Sequence, residues 1–152
     1  MSIKNFFSEA QKEQIKLSIQ AAETNTSGEI RVHIEARCKE APMSRAIKVF
    51  EQLKMHKTEL RNGVLVYLAT EDKKFAILGD KGIDEKVPTG FWDSVKDIMT
   101  EEFRKGNFEE GLIKGIGAAG EKLKTFFPYQ KDDINELSDE ISYGNEKEGG
   151  KE

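Results

Sequence analysis

The chain has 152 residues, 37% of them hydrophobic and 34% charged, with a net charge of −4 and one cysteine. That is the size of one domain able to bury a real core. One cysteine excludes an internal disulfide and a cysteine-based metal cage, and no apolar run reaches signal-peptide or membrane-spanning length, so a cytoplasmic protein without membrane insertion is expected. From Lys131 onward there are eight acids and three lysines. The body is therefore near neutral and carries no basic stripe, which gives no electrostatic reason to expect nucleic-acid binding.

In chain order, Ser8 followed three residues later by Gln11 is a capping-box start for a helix bearing Ile15, Ile19 and Ala22 at helical spacing. The turn formers Thr24 to Gly28 end it. EIRVHIEAR then alternates strictly, with Ile30, Val32, Ile34 and Ala36 opposite Arg31, His33, Glu35 and Arg37. That predicts a half-exposed strand near a sheet edge. Ser44 to about Lys57 reads as a helix with Ile47, Phe50 and Leu53 along one side. GVLVYLA and KFAILG, joined by the short turn at Glu71 to Lys73, are continuous apolar runs of strands covered on both faces. An irregular loop over 79–90 follows, then helices from about Phe91 to Arg104 and from Asn107 to about Phe127, stopped by Pro128.

Two buried strands need helices on both faces, so the expected fold is α/β, a three-layer α/β/α sandwich around a small mixed sheet of three to four or more strands. The first two strands are expected to pair in parallel and the third to return antiparallel. Residues 1–128 form the domain, 129–143 an acidic extension, and 144–152 a tail too polar to order itself.

Gly115, Gly117 and Gly120 in KGIGAAGEK have the spacing of a dinucleotide fingerprint. A fingerprint works only between a strand and the helix it opens. Here the glycines fall within a helix whose apolar face holds Phe108, Leu112, Ile116, Ala119 and Leu123, so packing explains them and no nucleotide cofactor is expected. His33 and His56 are too far apart for a zinc site and read as surface histidines. Cys38, between Arg37 and Lys39, lacks a visible catalytic partner.

The segment ILGDKGIDEKVP sets Asp80, Asp84 and Glu85 around two glycines, an oxygen-rich loop of the kind that suits calcium or magnesium. The third strand spans roughly 23 Å, so Asp72 and Asp80 lie at opposite ends of it. Asp80 falls at the edge where the other strands begin, beside Glu29. Glu29, Asp80, Asp84 and Glu85 are therefore the candidate metal ligands, against the plainer reading of an acidic surface loop. No catalytic residue is assigned.

The combination of SGEIRVHIEA, NGVLVYLATEDKKFAILGDKGIDEKVP, FWDSVKDIM and FEEGLIKGIGAAGEKL resembles the TPM-domain family, also called the photosystem II repair or thylakoid-lumen phosphatase-like family. The match covers about residues 5–128, and YQKDDINELSDEIS looks like the extension of short soluble bacterial members. The resemblance implies a calcium- or magnesium-binding α/β/α sandwich, with Asp84 at the acid of the family's loop and Glu29 at the acid after the first turn. Two residues, Asp80 and Lys81, stand between Gly79 and Gly82 where the family has one, and Thr89 replaces a common aspartate. The expected protein is a monomeric cation-binding module without strong enzymatic activity, acting with a protein partner. The alternatives are a metal-assisted acid phosphatase and an interaction domain with incidental ion binding.

Overall fold

The computed structural model describes residues 2–130 and 135–144. Its elements, in order, are α1 (Glu9–Glu23), β1 (Glu29–Glu35), α2 (Pro42–Gln52), β2 (Gly63–Ala69), β3 (Lys74–Gly79), α3 (Lys81–Asp84), α4 (Asp93–Arg104), α5 (Phe108–Phe126) and β4 (Ser142–Tyr143). The four strands lie in the order β3-β2-β1-β4. β1 runs parallel to both β2 and β4, and β2 runs antiparallel to β3. This is the α/β architecture that the two apolar strand runs require.

The pleat of the sheet assigns side chains to two cores. Ile30, Val32 and Ile34 join Val64, Val66, Leu68 and Ile77 beneath α1, α4 and α5. Leu65, Tyr67, Ala69 and Ala76 face the other way, against Ala46, Val49 and Phe50 of α2 and against Met55. The helix starts follow local chemistry. Ser8 and Gln11 close the reciprocal capping box on α1, with bonds of 2.9 and 3.1 Å, and Pro42 occupies the first turn of α2, where its missing N–H costs nothing.

The α5 glycines lie inside the helix, as the apolar period requires. A Cβ on Gly111 would stand 2.4 Å from the Phe103 ring, one on Gly115 2.6 Å from Met99, and one on Gly120 2.9 Å from Ala22. Each absent side chain lets α5 approach α4 or α1. Gly117 is different, since a Cβ there meets nothing within 4 Å.

Four expectations need correction. β1 is not half-exposed at an edge. It lies between β2 and β4, and six of its seven residues are buried, Arg31 being the exception. The polar face of the alternation is covered by α2 and by the C-terminal segment, whose Leu137 packs on the α2 side and whose Ile141 enters the other core. His33 is consequently 4% exposed rather than on the surface. In α2 the buried face is Ala46, Val49 and Phe50 while Ile47 is 46% exposed; the helix ends at Gln52, and a short 3-10 turn, Met55–Lys57, follows. The loop after β3 contains α3, whose first amide at Lys81 donates to Asp80 Oδ1 at 2.7 Å. Of the tail expected to stay unordered, only Gly144 is described; 145–152 lie outside the described residues.

Candidate functional site

Glu29 and Glu35 open and close β1, and a period of two sends both side chains to the α2 side of the sheet. Their surroundings differ. At the far end, Glu35 receives Arg45 Nε at 2.8 Å and Nη2 at 3.0 Å, the Tyr67 hydroxyl, and His33 Nε2 at 3.4 Å. His33 Nδ1 lies 2.9 Å from the Ser142 hydroxyl, which ties this cluster to β4. Burial would push the Glu35 carboxyl up, but the bonds from His33, Arg45 and Tyr67 and the charge of Arg45 hold it down, to about 2. Burial and the neighbouring Glu35 push the Tyr67 phenol well above its usual range. Gly144 closes over this group, since a Cβ there would stand 2.2 Å from that of Glu35.

The opening end of β1 is built on the turn 24–28. The Thr26 hydroxyl donates to the Phe127 carbonyl, Ser27 N donates to the same carbonyl at 2.9 Å, and Asn62 Nδ2 donates to Ser27 O at 3.1 Å. These bonds staple the corner to the end of α5 and to the start of β2. Within it, Glu23 from the last turn of α1 accepts the Ile30 amide at 2.9 Å, and Glu29 accepts the Leu137 amide. Ile30 lies below the short β4 ladder, which pairs only His33 and Ile34, so a side chain takes the place of a strand there.

Glu23, Glu29 and Asp139 line a cavity of about 260 Å³ together with Ser27, Tyr129 and Asn135. No lysine or arginine is among its described lining residues. Burial raises the Glu23 carboxyl to about 9; the Ile30 amide offsets this in part, and Asp139 and Glu29 add to it. Burial also raises Glu29, to about 7, the Leu137 amide opposing and Glu136 reinforcing. Asp139 takes Asn135 Nδ2 at 3.2 Å on one oxygen, while its other oxygen is buried with no hydrogen-bond partner among the described residues. Glu23 and Glu29 are raised because they are buried with nothing positive to compensate their charge.

The four residues picked out by sequence are divided by the fold. Glu29 and Asp80 do share the sheet edge where β1 and β2 begin: Glu29 pairs with Gly63, whose carbonyl accepts the Asp80 amide at 2.9 Å. Leu137 and Met55 cover Gly63 between them. Asp80 lines a different depression, with Phe50 and His56, and is gripped by Arg61 through bonds of 2.8 and 2.9 Å. Asp84 and Glu85 are exposed at the end of α3. Among the described residues no three of His, Cys, Asp and Glu are grouped so that they could hold a metal ion.

Sequence reasoning missed Glu23, Asp139 and Arg61. Arg61 was within reach, because the antiparallel register that pairs Val64 with Gly79 also brings the turn before β2 beside Asp80. Glu23 and Asp139 gave no local signal. The first is one acid at a helix end, and the second belongs to a segment read as lying outside the domain. Cys38 is buried, its thiol 3.1 Å from the Glu40 carbonyl.

A four-stranded mixed sheet between helical layers, with acids gathered where its strands begin, defines the class of protein to which comparison can be made. The TPM domain model matches residues 3–122, and the chain belongs to the TPM-domain family. It is similar to the BA42 protein of the psychrophilic bacterium Bizionia argentinensis, with 47% identity and a TM-score of 0.88 over 94% of this chain and 99% of that one. It shares the fold of an N-terminal domain from P. gingivalis, at 22% identity and TM-score 0.67, covering 82% of this chain and 81% of that chain. The N-terminal domain of the cg2496 protein of Corynebacterium glutamicum also shares it, at 10% identity and TM-score 0.63, covering 91% and 82%. No curated protein matches the chain. Among the described residues no helix is long and apolar enough to cross a membrane.

Proposed function

We propose that this TPM domain is a divalent-cation-binding module, taking calcium or magnesium at the opening end of β1. Glu29, Glu23 and Asp139 would be the principal ligands, with Glu136 beside them. The observation that carries the reading is the gathering of these carboxyls around one cavity whose described lining has no cationic side chain. Two of them are held protonated by burial, and a third has a buried, unpartnered oxygen. A hard cation supplies the missing positive charge, and carboxylate, amide and backbone oxygens at the corner are the ligand types it prefers.

The ligands are not preassembled, so binding would have to draw the 135–139 segment toward α1 and β1. A site that must close in this way is modest in affinity, in the range of about 10⁻⁵ to 10⁻³ M. In this reading Glu29 is a ligand and Asp80, Asp84 and Glu85 are not. Asp80 already has a bidentate arginine, and its removal to an ion would leave Arg61 without that partner. Asp84 and Glu85, being exposed, would offer at most a weak, solvent-screened site. The cavity lining also argues for binding rather than turnover. A metal-assisted phosphatase would meet the charge of its phosphoryl group with cationic side chains, and the described lining has none.

Calcium titration followed by amide resonances tests the proposal. Saturable shifts are expected at Ile30, Leu137 and the 24–29 turn, and Glu29→Gln should remove them. Shifts confined to 80–86, or none at millimolar calcium and magnesium, would show the assignment to be wrong.

A further inference from the structure

We infer that the outer surface of the helical layer is a docking groove for a cationic amphipathic helix of a partner protein. The groove lies where α1, α4 and α5 meet, shares none of its lining residues with the proposed cation site, and has a volume of about 940 Å³. Its floor is small and apolar: Ala21, Ala22, Ile98, Ile113, Gly117 and Ala118. Leu17, one turn before Ala21 on α1, is 45% exposed and extends the apolar strip.

The glycines of α5 supply an independent observation. An interior helical glycine costs about 1 kcal/mol relative to alanine. At Gly111, Gly115 and Gly120 that cost secures close contact with α4 or α1, where a Cβ would collide. At Gly117 it secures no internal contact, since the space above the residue is open. That open space is part of the groove. Missing side chains of this kind let another backbone approach closely.

Charge decides the occupant. Asp97, Glu101, Glu102 and Glu121 line the groove against one lysine, Lys114, which Glu102 holds at 2.7 Å. Glu101 and Glu121 also pair along their own helices, with Lys105 at 3.4 Å and Lys124 at 3.0 Å, which leaves the rim acidic through Asp97. Such a rim steers and orients a positively charged partner. A second copy of this chain would meet the groove with the same acids, since a two-fold contact sets each patch against itself. The chain's own final residues, GNEKEGGKE, carry three acids to two lysines and no apolar side chain that would fill the floor. An apolar stripe flanked by lysine or arginine meets both demands, and α5, about 28 Å long, is a bed long enough for several helical turns.

The probe is a synthetic helix of roughly five turns with leucine on one face and lysine on the other, set against the same peptide with glutamate for lysine. Titrated into the full chain, the lysine peptide should saturably shift the amides of Ile98, Ile113, Gly117 and Ala118. Gly117→Leu should weaken that binding by about tenfold or more while the melting temperature holds or rises, because its Cβ enters open space. Asp97→Lys with Glu121→Lys should weaken it as well, and the peptide should bind less tightly at high salt. The inference is overturned if the glutamate peptide binds equally well, if the lysine peptide leaves these amides unmoved, or if Gly117→Leu binds it unchanged. Self-association of the wild-type chain that Gly117→Leu abolishes would also overturn it, by giving the groove to a second copy.

Discussion

The two ends of β1 carry the same residue type on the same face, and the fold treats them in opposite ways. Glu35 is surrounded by Arg45, Tyr67 and His33 and stays ionised far into acid. Glu29 and Glu23, beside Asp139, meet backbone amides and other carboxyls, and burial pushes both of them up. One cluster is electrically closed and fastens β4 to the sheet through His33 and Ser142. The other is electrically open. Burial is common to both, so burial alone does not mark a site. What separates them is whether the protein itself supplies the compensating charge.

Breaking the closed cluster should have the largest effect. Arg45→Ala leaves Glu35 buried without its bidentate partner, and urea unfolding at neutral pH should show a loss of about 3–5 kcal/mol. A loss well below 1 kcal/mol would mean that Glu35 reaches water easily and that the two ends do not differ as described.

Opening and closing the two clusters with pH should give opposite slopes. Glu23 and Glu29 have folded-state values raised to about 9 and about 7. Their contribution is therefore complete below the ordinary glutamate value near 4.3 and is lost as pH rises through the folded values. Glu35 is depressed to about 2, so its contribution is present above the ordinary value and is lost as pH falls toward 2. In the absence of divalent ions, stability should peak near pH 4–5 and decline toward pH 9. Glu23→Gln should flatten the alkaline decline, stabilising the protein by on the order of 2 kcal/mol at pH 8, once solvent screening is allowed for, and by almost nothing at pH 4. Denaturant melts across the pH range check both. A wild-type profile rising from pH 5 to pH 8 would contradict the assignment.

A smaller effect separates the α5 glycines. Gly117→Ala should stabilise by up to about 1 kcal/mol, whereas Gly120→Ala, meeting Ala22 Cβ at 2.9 Å and its backbone at 3.2 Å, should cost about 1–3 kcal/mol. Thermal melts of the two variants decide whether the difference in packing is real.

What was legible from the sequence tracks how local the determinant is. The capping box at Ser8 and Gln11, the apolar runs of β2 and β3 and the buried face of α5 depend on neighbours in the chain, and each appears where the pattern puts it. The strand alternation at Ile30 to Glu35 was also legible, but it names two faces without saying what covers the second. The cover comes from α2 and from residues about one hundred positions later, which periodicity does not report. The same long range hid the partners of Glu29. Ligand-like composition drew attention to 80–85, yet Asp80 is paired with Arg61 across the sheet edge, and the uncompensated acids come from α1 and the C-terminal segment. Residue type shows which groups can hold charge. Only the packing shows which of them lack a counter-charge.

The central claim is that the open cluster is completed by a cation that displaces protons, and calorimetric calcium titration in two buffers of different ionisation enthalpy measures this directly. With Glu23 and Glu29 protonated at about 9 and about 7, binding near pH 6.5 should release about one to two protons. The apparent affinity should strengthen as pH rises toward 9, and Glu29→Gln should remove both effects. Calcium binding without proton release, or heats in both buffers that show no binding at all, would contradict the account.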